Sequence, residues 1–241
     1  MKHLFVICLC LFLSSSLNAQ NLWKSGINGE GPKVTREIHV AGFSGIKNSF
    51  ACHVILTQGS TYKVMATGQA NILDNIIFDE GEHVLTIRYD RPVKKADRVE
   101  IEITLPQIDL LSLSGAGSIE CANHFAEVED LEVRVSGSGR ISLDVNAEDI
   151  SNRISGSGSI RIEGVAEHLE GQISGSGQLK ALDLQAVSGK FMISGSGNAF
   201  VNVSEYIEAN ISGSGNVRYK GGDQVKVQSR VSGSGSLHQV K

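Results

Sequence analysis

The sequence is poor in the features that mark several large classes of protein. Only 3 of its 241 residues are proline and 5% are aromatic, which excludes a collagen or a proline-rich disordered chain. A net charge of −4 provides no basic surface for nucleic acid or anionic lipid. The apolar run at residues 4–13 is too short to cross a bilayer. We therefore expect neither a nucleic-acid partner nor a membrane span.

The short apolar run has the layout of a secretory signal peptide. A basic start at residues 1–3 precedes it, and small residues at 14–19 follow it. We expect cleavage after Ala19, and no lipid on the product, because Gln20 and not cysteine comes next. The alternative is a buried N-terminal strand. The signal interpretation predicts a protein secreted to the periplasm or the outer cell surface of a bacterium.

Cysteine is scarce once that segment is removed. Cys8 and Cys10 leave with it, so the mature chain keeps Cys52 and Cys121. Each alternates with aliphatic residues along the chain, which favours two buried, unreactive thiols. A single bridge between them is the alternative. The absence of a CxxC motif excludes a thioredoxin-type function.

Glycine is in excess, and the excess comes from a repeat. Fourteen of the 27 glycines lie in seven tetrads of sequence Ser-Gly-(Ser/Ala)-Gly, spaced 18–22 residues apart. An aliphatic residue precedes every tetrad, and another apolar residue follows two positions after it. We expect these glycines to be structural: Gly115, Gly117, Gly137, Gly139, Gly156, Gly158, Gly175, Gly177, Gly195, Gly197, Gly213, Gly215, Gly233 and Gly235.

The remainder of each unit alternates between apolar and polar residues, as a half-buried strand does. A unit of about 19–20 residues is too short for a βαβ crossover or a propeller blade but matches one coil of a parallel β-helix. A left-handed hexapeptide helix would need a six-residue sub-period, which is absent. A calcium-binding nonapeptide repeat would need aspartate beside the glycines. The sequence therefore predicts an all-β, right-handed parallel β-helix.

Within a tetrad, alternation predicts which side chains point inward. It places Ile154, Gly156, Gly158 and Ile160 inside, and the serines outside, where their hydroxyls can hydrogen-bond along the stack. The tetrad is then either a corner that every coil needs or a flat hydroxyl-rich strip that binds a glycan or a solid surface.

The chain before the repeat lacks the tetrad and has a different pattern of residues. We therefore divide the sequence into four parts. They are a signal peptide (1–19), a loose polar lead-in (20–34), an N-terminal β-rich part (35–110) and the repeat region (111–241). The β-rich part is expected to continue or cap the core of the helix, with a solvated loop at 90–98. Its predicted elements are strands near 36–40, 53–57, 62–66, 84–89 and 99–104, and a helical turn within 69–76.

No catalytic or metal-binding motif is recognisable. The seven histidines lack metal-ligand spacing, and Ser-Gly-Ser-Gly is neither a nucleophile elbow nor a phosphate-binding loop. We therefore expect no catalytic residue, metal or cofactor. Acidic residues recur near one loop of successive coils, and form either a cation-holding strip or a solvated face: Glu127, Glu129, Asp130, Glu148, Asp149, Glu163, Glu167 and Glu170.

Several motifs resemble a family of bacterial secreted proteins, the putative auto-transporter adhesins with a head GIN domain. They are the sevenfold tetrad, the segments 42–46 and 54–59, Leu105-Pro106 and the segment 113–117. The resemblance spans roughly residues 35–235. It implies a β-helix similar to the pectin-lyase shape, a cell-envelope location and an adhesive role, and it implies no catalytic residues.

Two functions follow as hypotheses. The first is a non-enzymatic adhesion or surface-binding module whose partner is a glycan or another cell-surface ligand. The second is a polysaccharide lyase or hydrolase, an analogy based on the fold alone. The last tetrad is followed by Leu237 and Val240 with little chain to cover them, which predicts a homo-oligomer formed through the C-terminal coil.

Overall fold

The computed structural model describes residues 26–240, and within them the chain forms nineteen β-strands and one short helix. The first part contains β1 (Ile27–Asn28), β2 (Lys33–Ile38), β3 (Gly45–Asn48), β4 (His53–Gln58), β5 (Lys63–Gln69), α1 (Ala70–Leu73), β6 (Ile76–Gly81), β7 (Val84–Tyr89), β8 (Val93–Lys95) and β9 (Glu100–Leu105). The repeat contains β10 (Leu110–Gly115), β11 (Ser118–Cys121), β12 (Phe125–Gly137), β13 (Arg140–Gly156), β14 (Ser159–Gly175), β15 (Gln178–Gly195), β16 (Asn198–Gly213), β17 (Asn216–Lys220), β18 (Lys226–Gly233) and β19 (Ser236–Val240).

From β10 onward, the chain winds into stacked parallel coils. Equivalent residues of successive coils are paired, so that Ile154 lies beside Ile173, and Ile173 beside Ile193. The coils form a β-solenoid of about seven turns. This confirms the predicted parallel β-helix.

Each coil offers up to three paired segments, which we name faces. Face A is the segment that runs into each tetrad, and comprises 110–115, 131–137, 150–156, 169–175, 189–195, 207–213 and 226–233. Face B follows the tetrad and comprises 118–121, 140–144, 159–163, 178–181, 198–201, 216–220 and 236–240. Face C, in the middle coils only, comprises 145–147, 164–166, 184–186 and 202–203.

The core is a set of aliphatic rows that run along the stack. On face A, the residue before each tetrad is 0–3% exposed in the first six coils. One row is interrupted by an aromatic ring: Phe191 is fully buried, and a Cβ at Gly171 or Gly189 would come within 2.8 Å of it. Gly189 breaks the aliphatic pattern of the sequence because the ring of Phe191 fills the space of its side chain.

The two glycines of a tetrad occupy different environments. The first has a φ between +97° and +122° in all seven copies, a conformation that favours glycine. The second is buried in the first six copies, and a Cβ on Gly158 would lie 2.4 Å from Cγ1 of Val135 in the preceding coil. The prediction that Gly156 points inward with Gly158 is therefore wrong: Gly156 makes the bend, and only Gly158 is buried inside.

The tetrad serines are exposed, as alternation predicts for Ser155 and Ser157. Their hydroxyls do not hydrogen-bond one another anywhere in residues 26–240, so the expected hydroxyl ladder is absent. The coils are instead joined at this corner through the backbone. The N–H of Ser157 donates to the carbonyl of Gly137 at 2.9 Å, and the N–H of Ser176 to that of Gly156 at 2.9 Å.

The N-terminal part adds two further layers to the same core, but not in chain order. β3 lies between β7 and β10, and β4 lies between β9 and β11, all in parallel. The layer β7–β9, although later in sequence than β3–β4, is therefore farther from the tetrad coils. All these layers share one contiguous hydrophobic core, as predicted.

Most predicted elements of this part are present, with two corrections. The lead-in and the charged loop are not simply loose, because β1 pairs with β8. β3 and β6 were not predicted as strands: β3 is only four residues long, and the charged end of β6 hides its pairing with β7. The predicted signal peptide lies outside the described residues.

The two ends of the solenoid are built differently. At the N-terminal end, face A finishes in β6, antiparallel to β7, and face B finishes in β5 and β2, which are also antiparallel. α1 packs against β5 and buries Ile72 and Leu73. At the C-terminal end, β18 and β19 pair on one side only within the described chain.

Candidate ligand-binding site

Face A carries a shallow groove of about 470 Å³ that extends across four coils. Two outward rows border it. One contains the first serine of each tetrad, and the other contains the residue two positions earlier in the chain. The rows are Ser155, Ser174, Ser194 and Ser212, and Arg153, Gln172, Met192 and Asn210.

This geometry follows from the two-residue period of a strand. The residue between the two rows, such as Ile173, points inward and is buried, so its neighbours Gln172 and Ser174 point outward. Coils stack about 4.8 Å apart, so four of them span roughly 14 Å. The groove is therefore a periodic strip of side chains aligned along the solenoid axis.

The floor of the groove is mostly apolar, formed by Ile154, Ile173, Ile193 and Met192, and the polar groups of the two rows border it. The hydroxyls, together with the amides of Gln172 and Asn210, can each donate and accept hydrogen bonds. The single charged side chain is Arg153. Met192 is 41% exposed, an unusual position for a flexible apolar side chain. Such a surface suits a ligand that has an apolar face and hydroxyl groups along its edges.

The sequence predicted the serine row but missed its partner row. The residues at the second row are Arg, Gln, Met and Asn, which share no chemical type. Only their constant offset of two residues before each tetrad serine could have identified them.

Some of the predicted acidic residues meet in a second groove. Asp130 pairs in register with Asp149, and both line a cavity of about 770 Å³ with Glu170. Asp109 and Glu132 complete its acidic lining. The other acidic residues singled out in the sequence do not line it. Within residues 26–240, no group of three His, Cys, Asp or Glu side chains has a geometry that could hold a metal ion.

Face B carries a row that the sequence analysis did not single out. Arg161, Lys180, Phe200 and Arg218 are paired in register on successive coils. The guanidinium of Arg218 lies 5.4 Å from the centre of the Phe200 ring, a cation–π contact. Arg161 is paired with Asp183 at 2.6 Å, so part of the positive charge of the row is neutralised.

Cys52 and Cys121 are both free, which excludes the alternative of a bridge in this structure. Cys52 is buried and Cys121 is partly buried. Burial raises the pKa of each thiol to about 12. Both are therefore protonated near neutral pH, and because the thiolate is the reactive form, neither is a nucleophile there.

Several solved structures have the same fold as this chain. A putative adhesin from Bacteroides fragilis is 23% identical, with a TM-score of 0.82 over 89% of this chain and 100% of that chain. A putative lipid binding protein from Parabacteroides distasonis is 23% identical, with a TM-score of 0.75 over 89% and 99%. A putative adhesin from Parabacteroides merdae is 22% identical, with a TM-score of 0.70 over 90% and 99%.

Three further findings concern membrane-spanning helices, curated relatives and the family of the chain. No helix among residues 26–240 is long and apolar enough to cross a membrane. No protein of curated function matches the sequence. A family model described as "Putative auto-transporter adhesin, head GIN domain" matches residues 42–222, which cover the tetrad coils up to the sixth tetrad and most of the N-terminal layers. The chain belongs to this family.

Proposed function

We propose that the protein is a non-enzymatic adhesion module of the bacterial cell envelope that binds an extended glycan along the face A groove. The observation that carries the proposal is the pair of aligned rows, one of serine hydroxyls and one containing the amides of Gln172 and Asn210. A polymer of similar sugars can contact equivalent side chains on successive coils, so each coil adds a similar set of hydrogen bonds.

The chemistry of the groove also matches a sugar. Glycans present hydroxyl groups around the ring edge and apolar C–H groups on the ring face. The serines and amides provide partners for the former, and Met192 provides an apolar contact for the latter. The groove is shallow, so each subsite binds weakly and affinity comes from several subsites acting together.

Membership of an adhesin family supports an envelope role. We propose that residues 1–19 are a signal peptide, that residues 20–34 lead into the β-rich part (35–110), and that the repeat region (111–241) carries the binding face. The protein would then be secreted to the periplasm or the outer surface. The intact mass of the exported protein tests this: we expect loss of residues 1–19 and no added acyl group, and a retained N-terminus would contradict it.

The proposal includes a homo-oligomer formed through the C-terminal coil. Val227 and Val231 belong to rows whose other aliphatic members are buried, but they are 49% and 41% exposed. A second copy is the partner that would cover them.

A glycan array followed by titration calorimetry tests the binding site with a matched pair of variants. Ser174 and Ser176 belong to one tetrad and are both exposed, but only Ser174 lines the groove. We expect Ser174→Arg to fill the groove and lower glycan affinity at least tenfold, and Ser176→Arg to bind as the wild type does. Equal affinities for the two variants would place the ligand elsewhere.

The same protein samples test the other functions. A reducing-end release assay on each bound polysaccharide is expected to show no product, and release that scales with protein concentration would establish a lyase or hydrolase instead. One similar structure is described as a putative lipid binding protein. Binding to neutral phospholipid vesicles without any glycan hit would therefore overturn the glycan proposal in favour of lipid.

A further inference from the structure

The last coil exposes residues that are buried in the coils before it. The row of residues that precede the tetrads is 0–3% exposed from Leu113 to Ile211, whereas Val231 is 41% exposed. The row from Leu131 to Ile207 is 0–2% exposed at its aliphatic positions, whereas Val227 is 49% exposed. Within residues 26–240, the sheet of face A therefore ends at β18, whose outer edge is unpaired and whose two valines are uncovered.

In the part of the chain that the structure describes, the opposite end of the solenoid has no complementary open coil. There, the parallel strands are followed by antiparallel strands with charged residues: face A ends in β6, which carries Asp79 and Glu80, and face B ends in β5 and then β2, which carries Lys33, Arg36 and Glu37. Charged outer strands discourage edge-to-edge pairing. A head-to-tail filament is therefore disfavoured, and a closed pair related by a two-fold axis remains.

We propose that two copies of the chain pair through β18 in an antiparallel register centred on Ser229. In this register, Val227 of each copy lies opposite Val231 of the other, and the two Ser229 residues face each other. Inward residues then meet inward residues, as a half-buried sheet requires. The aliphatic rows of both solenoids become continuous across the dimer.

The positions of the charged residues favour this register over the registers shifted by two residues in either direction. The outward residues Lys226 and Arg230 lie opposite Ser232 and Gln228, which carry no charge. A shift of the paired strand by two residues in one direction sets Lys226 opposite Arg230, and a shift in the other direction sets Arg230 opposite itself. Like charges directly opposite destabilise an antiparallel pair, and both shifts also break the double valine contact.

The symmetry has a consequence for binding, which rests on the proposed function. A two-fold axis normal to face A leaves the face A of both copies on the same side of the dimer. The two grooves then lie on one continuous sheet, pointing in opposite directions along it. The dimer would be a bivalent adhesin, in which a polymer bound by one groove raises the effective concentration at the other.

Cross-linking with engineered cysteines tests the register. In the proposed dimer, the two Ser229 side chains are a directly opposed pair, with Cβ atoms about 4.5–5.5 Å apart. Two Lys226 side chains would be separated by six residues, about 20 Å. We expect Ser229→Cys to form a disulfide-linked dimer under mild oxidation and Lys226→Cys to remain unlinked. The native thiols do not interfere, because burial raises the pKa of both to about 12.

Light scattering on the wild-type protein and on Val231→Lys tests the dimer itself. We expect the wild type at micromolar concentration to have twice the mass of one chain, and Val231→Lys to be monomeric with an unchanged circular dichroism spectrum. A monomeric wild type would overturn the proposal. Cross-linking of Lys226→Cys in preference to Ser229→Cys would overturn the register.

Glycan binding separates this inference from the proposed function. We expect Val231→Lys to bind a short soluble glycan as the wild type does, but to bind a glycan-coated surface roughly 10- to 100-fold more weakly, because avidity is lost. Equal binding of both proteins to the surface would overturn the bivalent arrangement. A dimer that binds no glycan would overturn the glycan proposal and leave the pairing intact.

Discussion

The two ends of the solenoid solve the same physical problem in different ways. Every coil leaves a row of unpaired backbone groups and a layer of apolar side chains for the next coil to cover. At the N-terminal end, β5, β6 and α1 cover that layer, and Ile72 is fully buried. At the C-terminal end, Val227 and Val231 are exposed.

The difference shows that the repeat sequence alone does not end the stack of coils. The residues that make one coil receptive to the next are the same in the last coil as in the middle ones. An end must therefore be closed by a different structure or by another molecule. Here the N-terminal end has antiparallel strands with charged residues, and the C-terminal end keeps the tetrad and the aliphatic residues that precede it.

The largest expected difference between the ends is in the cost of removing an apolar side chain. Ile72→Ala in α1 should lower the free energy of unfolding by about 3 kcal/mol, because it empties a fully buried site. Val231→Ala should lower it by less than about 1 kcal/mol in the monomer, since the side chain is already 41% exposed. Urea unfolding, at a protein concentration low enough to dissociate the dimer, measures the loss of unfolding free energy in both variants. Equal losses would contradict the described difference between the ends.

A second comparison uses the buried glycine of the tetrad in a middle coil and in the last coil. Gly158→Val should cost about 2–3 kcal/mol, because a Cβ there would lie 2.4 Å from a Val135 methyl group and 2.8 Å from a carbonyl oxygen. Gly235→Val should cost less, because the last coil can move away without disturbing another.

The control for this comparison is Ser157→Ala, whose exposed side chain makes no hydrogen bond in the described chain. It should change the unfolding free energy by less than about 0.5 kcal/mol. Thermal unfolding of the three variants and of the wild type ranks the variants by their loss of stability. A Gly158→Val protein as stable as Ser157→Ala would refute the packing assigned to the tetrad.

The smallest expected effect is a loss of stability at alkaline pH that depends on Cys52, which lies at the start of β4, beside the first tetrad coil. Burial raises the pKa of this thiol from 9.0 to about 12. The unfolded chain therefore loses the proton first, and the stability linked to Cys52 is intact below pH 9 and falls as the pH rises from 9 to 12. Between pH 9 and 10 we expect a loss of about 1 kcal/mol.

The variant Cys52→Ala isolates this contribution, because it lacks the thiol and keeps every other titrating group. Its urea midpoint should fall less steeply than that of the wild type between pH 9 and 10. Parallel slopes for the two proteins would show that the thiol is not buried in solution.

The repeat was predictable from the sequence because its signals are local and recur seven times. The tetrad gives the coil length, and the flanking aliphatic residues give the inward rows. The distinct tasks of Gly156 and Gly158 were not predictable, because alternation alone places both inside. The positive φ of Gly156 changes the direction of the chain at that point, which a two-residue period does not reveal.

The N-terminal layers show where sequence reasoning ends. Strands such as His53–Gln58 were predicted within one residue, but their order in the stack was not. The pairing of β3 with both β7 and β10 joins segments that are far apart in the chain, and no repeat marks them as equivalent. Only one of the two rows of the groove was predicted, for the same reason. The serine recurs in every tetrad, whereas the other row contains four different residue types: Arg153, Gln172, Met192 and Asn210.

Hydrogen–deuterium exchange at two protein concentrations, one above and one below the dissociation of the dimer, tests the difference between the ends most directly. We expect the amides of β18 to exchange slowly at the higher concentration and at least tenfold faster at the lower one. The amides of β5 and β6 should exchange at the same rate in both samples. Exchange of β18 that does not depend on concentration would contradict a C-terminal end that is closed by a second copy.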